Sequence, residues 1–330
     1  MEFSVKSEKT THPAPQHEIR PKNPMHPLRR LFLVSSVLFL LPFGTQPLLG
    51  WGNDGHRFIT GEALFLLPAP IRPFFEKDRA FVIEHSIDPD LWRLAGFEAE
   101  VTRHFLDLDA FGSYPFDELP REYQKAIRKF GREKIEKEGL LPWRTAQVFD
   151  QLVGAFRQYH EERSHFSEEK VQFFAAVMAH YVSDAQVPLH AISNYNGQLT
   201  GQSGLHFRFE SELLLRYRDR LKIQPASIFQ ISNPRDFIFD SLLKSFLQAD
   251  LILKADKKAA ANRKDYDKIY YDMFFSMAGS TLADQLNASI TAVAAMITAA
   301  WEQAGKPDLS EYSRQSPKKN RQRGAETRKQ

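Results

Sequence analysis

The chain has 330 residues, 42% of them hydrophobic, which is enough for one large domain or two small ones with a sizeable core. It contains no cysteine, which excludes disulfides, thiolate zinc sites and cysteine nucleophiles; any metal must be held by His, Asp, Glu or backbone groups. The net charge is +3, yet residues 1–50 alone carry +3 and residues 316–330 carry +5, leaving the 51–315 body at −5.

In chain order, the first feature is a targeting segment. Arg29 and Arg30 precede an apolar run over 31–43, and the small residue Gly50 stands before "WGNDGH". The run is short for a bilayer span and reads as a secretory signal, with cleavage expected before Trp51 and a secreted or periplasmic product. Residues 1–24 are polar and lie upstream of Met25. Translation starts either at Met25 or at Met1 with a long basic leader.

The body reads as helical. "GHRFITGEALFLL" is amphipathic and closes at "PAPIRP"; "DELPREYQKAIRKFGREKIEKEG" is expected as one helical stretch ending at Gly139. "LPWRTAQVFDQLVGAFRQYHEER" follows, then "SEEKVQFFAAVMAHYVSDA", with a partial capping box from Ser167 to Lys170. "GLHFRFESELLLRYRDRL", "RDFIFDSLLKSFLQADLILKAD" and a long run from "DYDKIYYD" to "WEQAG" complete the set. Alternating β-branched runs are nearly absent, so the expected fold class is all-α: a single multi-helix domain over 51–305. The Gly- and Asn-rich "SNYNGQLTGQSG" is the clearest loop, and residues 306–330 form an expected basic, disordered tail.

Chemistry concentrates in a few segments. In "HYVSDAQVPLH", His180 and Asp184 stand four apart and share one helix face, and His190 follows on the turn after Pro188. "LHFRFE" repeats the device with His206 and Glu210. His104 lies among apolar residues, and "DPDLWR" offers Asp88 and Asp90. Cleavage before Trp51 would place a free α-amino group beside its own carbonyl oxygen, a five-membered chelate that His56 could complete. His160 and His165 lie in a charged segment expected to be exposed, and His85 is a candidate for support behind a ligand.

These residues together resemble the superfamily of zinc-dependent phospholipases C and secreted single-strand-specific zinc nucleases. The resemblance rests on Trp51, His56, Asp90, "HF" at His104, "HYVSDAQVPLH" and "HFRFE", and spans nearly all of 51–305. It implies a helical cleft with three zinc ions. The first would take Asp90, His104, His180 and Asp184; the second His190, His206 and Glu210; the third Trp51, His56 and the bridging Asp184. Asp88 and Asp90 compete for one role, and Asp90 matches the family better by its distance to His104 and by Arg93 three residues on. At positions where choline-selective members carry a carboxylate and two aromatic residues, this chain has Asp54, Leu91 and Val101. The aromatic walls of a cation–π cage are missing.

The activity so implied is zinc-dependent hydrolysis of a phosphodiester, with Asp90 orienting or deprotonating the attacking water. Glu210 and the acidic body favour a phospholipid or another small phosphodiester; the nucleases usually place Asp at that ligand position. The short Trp51-to-His56 spacing favours the alternative, a single-strand-specific nuclease or 3′-nucleotidase with the same metals. Single-stranded nucleic acid is therefore the competing partner. Transient contact with a membrane surface and a monomeric state complete the expectation.

Overall fold

The computed structural model describes residues 51–310, except Asn262 and Lys264. The expected leader over 1–50 and the last twenty residues of the expected tail lie outside the described residues. Helices α1 (Gly52–Leu66), α2 (Arg72–Lys77), α3 (Arg79–His85), α4 (Asp88–Leu94) and α5 (Glu98–Val101) come first. Then come α6 (Tyr123–Phe130), α7 (Arg132–Glu138), α8 (Leu141–Glu162) and α9 (His165–Asp184). Short helices α10 (Leu205–Phe207) and α11 (Leu213–Tyr217) flank a π-helical turn, Arg208–Glu212, and the long α12 (Pro234–Ala260) and α13 (Lys268–Gln303) close the fold. There is no strand among the described residues, as the sequence pattern predicts.

The central helix is α9. It packs against α8, α13, α3 and α1, and every residue from 175 to 184 is buried. Its small residues Ala175, Ala176 and Ala179 let neighbouring helices approach, while Val177, Met178 and Val182 supply apolar area worth about 1.5–3 kcal/mol each when buried. α13 contributes Phe274, Leu282, Leu286, Ile290 and Ile297 to the same core. A polar helix end in such a place is costly unless it is used. The ligand-type residues sit at that end.

Local signals explain most boundaries. The cap of α9 is Ser164, not Ser167: Ser167 N–H donates to Ser164 Oγ (3.1 Å) and Ser164 N–H to Ser167 Oγ (3.0 Å), a reciprocal box three residues earlier than expected. Asn233 accepts from Asp236 N–H (3.1 Å) to open α12 behind Pro234. The stretch expected as one helix ending at Gly139 is two, because Gly131 takes φ = +84° between α6 and α7. Packing also continues past Gly305. Trp301 Nε1–H donates to Pro307 O (2.9 Å) and Leu309 is buried, so 306–310 belong to the body. Among the described residues, no helix is long and apolar enough to cross a membrane.

Candidate metal centre

Four parts of the chain meet at the C-terminal end of α9. Asp184 Oδ2 lies 3.3 Å from His180 Nε2, one turn earlier on the same helix. Its other oxygen, Oδ1, lies 3.4 Å from Nε2 of His56, which α1 delivers from across the core. The His56 and His180 rings stack with centroids 3.9 Å apart. From α4 and the turn after α5 come Asp90 and His104, with Asp90 Oδ1 3.7 Å from His104 Nε2. The turn after α9 brings His190, whose Nε2 faces His206 Nε2 at 3.1 Å; His206 Nε2 is 3.0 Å from Glu210 Oε2.

The outer nitrogen of every ring is already committed. Nδ1–H of His180 donates to Ser86 O (2.9 Å), of His104 to Glu100 O (2.8 Å), of His190 to His104 O (2.6 Å) and of His206 to Tyr195 O (3.3 Å). A carbonyl can only accept, so the proton sits on Nδ1 and the Nε2 lone pair points inward. His56 reaches the same tautomer indirectly. Ser183 Oγ–H donates to His180 O (2.8 Å), so the hydroxyl accepts from His56 Nδ1 (2.9 Å). In their neutral form all five imidazoles thus turn the Nε2 lone pair inward.

Three of these inward nitrogens, and most of the carboxylate oxygens with them, have no hydrogen-bond partner. Nε2 of His56, His104 and His180, Oδ2 of Asp90, and both oxygens of Asp184 and Glu210 are buried and unpartnered. Folded proteins leave few buried polar atoms unsatisfied, at about 1–3 kcal/mol each, so eight in one place require a common partner. They form three groups whose donor atoms lie within 4.8 Å of one another: His56, His180 and Asp184; Asp90, His104 and His180; and His190, His206 and Glu210. All are N and O donors, suited to a divalent cation of borderline hardness. The residues therefore fit a metal centre.

Electrostatics agree. Burial lowers His104 to a pKa of about 3 and His206 to about 4, and it pushes His56 and His190 below the ordinary histidine value. Burial also raises Asp90 to about 6, against the pull of His180 and Arg93, and raises Glu210 well above the carboxylate range. The exception is the His180–Asp184 pair. Burial opposes both charges, but their mutual attraction lifts His180 and holds Asp184 well below its usual range. Neutral imidazoles are ready ligands, and a cation would offset the cost of ionising the carboxylates.

All eight side chains expected as ligands lie in these three groups. Trp51 is fully buried at the start of α1, with its indole N–H on Ser183 O (2.9 Å). The two competing aspartates part company. Asp88 turns away to His85 Nδ1 (2.7 Å), whereas Asp90 is wholly buried and points to His104. His85 accordingly serves Asp88 and touches none of the ligands by hydrogen bond. His160 and His165 are exposed. Arg93 escaped notice as a site residue: its Nη2–H donates to Asp90 Oδ1 (3.0 Å), its Nε is buried without a partner, and it lines a pocket with Val101, His104, His190, Tyr195 and His206. Its spacing from Asp90 was the available signal. The carbonyls of Ser86, Glu100 and Tyr195 had none, since a main-chain acceptor carries no residue signature.

No protein-family model matches the chain, and no curated protein does. Among solved structures it is similar to the alpha toxin from Clostridium absonum, at 15% identity and a TM-score of 0.43, over 77% of this chain and 64% of that one. The chain thus spans less than two thirds of that protein's length.

Proposed function

We propose that this protein is an exported, zinc-dependent phosphodiesterase of phospholipase C type. The observation that carries the reading is the set of unpartnered, buried N and O donors converging from α1, α4, α9 and the 205–210 run. The motif resemblance to zinc phospholipases C and single-strand-specific nucleases supports three ions. Trp51, after cleavage before it, would supply its amino nitrogen and carbonyl oxygen beside His56 and Asp184.

These residues would hold zinc, which when bound would polarise phosphoryl oxygens and make water a competent nucleophile near neutral pH. The chain's own residues do the rest. Arg93 offers a buried N–H and a guanidinium charge to a phosphate oxygen at the pocket wall. Asp90 is fixed by Arg93 through Oδ1 and keeps Oδ2 free to orient the attacking water and take its proton. Water adds at phosphorus, the P–O bond to the alcohol breaks, and the proton taken by Asp90 returns through solvent to the leaving oxygen, giving diacylglycerol and a phosphorylated head group from a phospholipid.

A lipid substrate is favoured by what surrounds the pocket. Leu91, Leu94, Phe97 and Val101 are all exposed on α4, α5 and their link, beside Asp90, Arg93 and His104. An amphiphile can lay acyl chains there, whereas a single strand needs a cationic track, which a body of net charge −5 disfavours. The test is zinc content and turnover of the purified protein ending at Ser310, on phospholipid vesicles, a soluble phosphodiester, single-stranded DNA and a 3′-nucleotide. Hydrolysis of lipids or small diesters is expected. Efficient cleavage of DNA with both of those untouched would make the nuclease reading correct, and absence of bound zinc would remove the metal centre.

A further inference from the structure

Between His206 and Glu210 stands Arg208, which faces away from the centre and is buried. Its guanidinium is held from four sides. Nε–H and Nη2–H donate to Asp256 Oδ1 of α12 (3.1 and 2.9 Å), and Nε–H also to the Tyr270 hydroxyl of α13 (3.0 Å). Nη1–H donates to Ser203 O (2.8 Å) and Nη2–H to Gln202 O (3.0 Å). The second Asp256 oxygen accepts from Gln202 Nε2–H (2.7 Å), and the Tyr270 hydroxyl donates to Oδ1.

This network is not explained by stability. A buried ion pair is often no more stable than an apolar replacement, because desolvation offsets its attraction. What it does hold is register. Arg208 is the first residue of the π-helical turn, whose Leu213 N–H reaches back to Arg208 O, and such a turn re-aims the side chains it carries, here Glu210. The same anchor grips the end of the 193–204 loop through Gln202 and Ser203. That loop presents Tyr195 O to His206 Nδ1 (3.3 Å) and Asn196 Oδ1 to His206 N–H (3.3 Å). Gly204, at φ = +86°, leaves room for the guanidinium: a Cβ there would lie 2.8 Å from Arg208 Nη1.

We propose that the buried Arg208–Asp256 network is a positioning device that sets cation affinity at the His190, His206 and Glu210 group and not at the other two. The inference rests on the metal-centre reading above. The other groups draw their ligands from α1, α4, α9 and the turn after α5, none of which hydrogen-bonds to this network.

The experiment is chelator competition on the full chain purified with zinc, reading zinc retained per chain, with thermal melting alongside. Arg208→Lys keeps the charge but loses the fork, and Asp256→Asn keeps the shape; Phe156→Leu, in the α8 core, is the control for destabilisation. One release step should move to chelator concentrations about 10–100-fold lower in both network variants, with the other steps unmoved. Phe156→Leu should release zinc as the parent does. An unshifted step, equal weakening of every step, or the same shift in Phe156→Leu would overturn the proposal. If Arg208→Lys does not fold, Asp256→Asn decides. A parent chain that binds no zinc would instead remove the metal-centre reading itself.

Discussion

Replacing Asp107 by asparagine should stabilise the fold at pH 8 and leave it nearly unchanged at pH 4. Asp107 follows His104 by three residues, is 8% exposed, and has Oδ1 buried without a partner. Its main-chain N–H donates to Glu138 O (2.7 Å), which fixes the side chain inside the turn. Burial, with the nearby carboxylates Asp109 and Glu138, pushes its pKa up from 3.8 to about 7. The native state therefore binds a proton that the unfolded chain releases between those two values. Stability contributed by this group is fully present below pH 3.8 and is lost as pH rises to about 7. A shift of about three units sets a ceiling near 4 kcal/mol, and relaxation with water entry reduces this to about 1–3 kcal/mol. Asparagine keeps the shape and cannot ionise. At about 2–4 °C per kcal/mol for a domain of this size, Asp107→Asn should raise the melting temperature by roughly 2–12 °C at pH 8. Melting curves of both proteins from pH 4 to pH 8 test this. A gain equal at both ends, or a loss at pH 8, would refute the argument.

On the proposed reading, stripping zinc from the protein should cost stability as well as activity, because the eight unpartnered donor atoms then stay buried and unsatisfied. A ligand held about a thousand-fold above its Kd contributes about 4 kcal/mol, so a chelator should lower the melting temperature by several degrees and zinc should restore it. An identical melt with and without chelator would contradict the centre. At the rim, Leu94→Asp combined with Phe97→Ser should slow turnover of vesicle phospholipid at least about five-fold, since about 0.8 kcal/mol is lost per methylene no longer buried in lipid. Turnover of a soluble phosphodiester should hold, and equal losses on both substrates would place these side chains outside lipid contact.

The helical class, the apolar face of α9 and the close pairs His180/Asp184 and His206/Glu210 were determined by the sequence itself, because helix period puts residues four apart on one face. The long range was not. Asp88 and Asp90 are indistinguishable by composition; only the fold turns one to His85 and buries the other beside His104. The cap at Ser164 and the break at Gly131 fell where one side-chain rotamer and one positive φ decided between neighbouring candidates. The Nδ1 acceptors of His180 and His190 and the Arg208–Asp256 pair join atoms dozens of residues apart, and no local pattern encodes such a meeting. Period and propensity act within a few residues. Which lone pairs face one another is settled only when helices from opposite ends of the chain pack around α9.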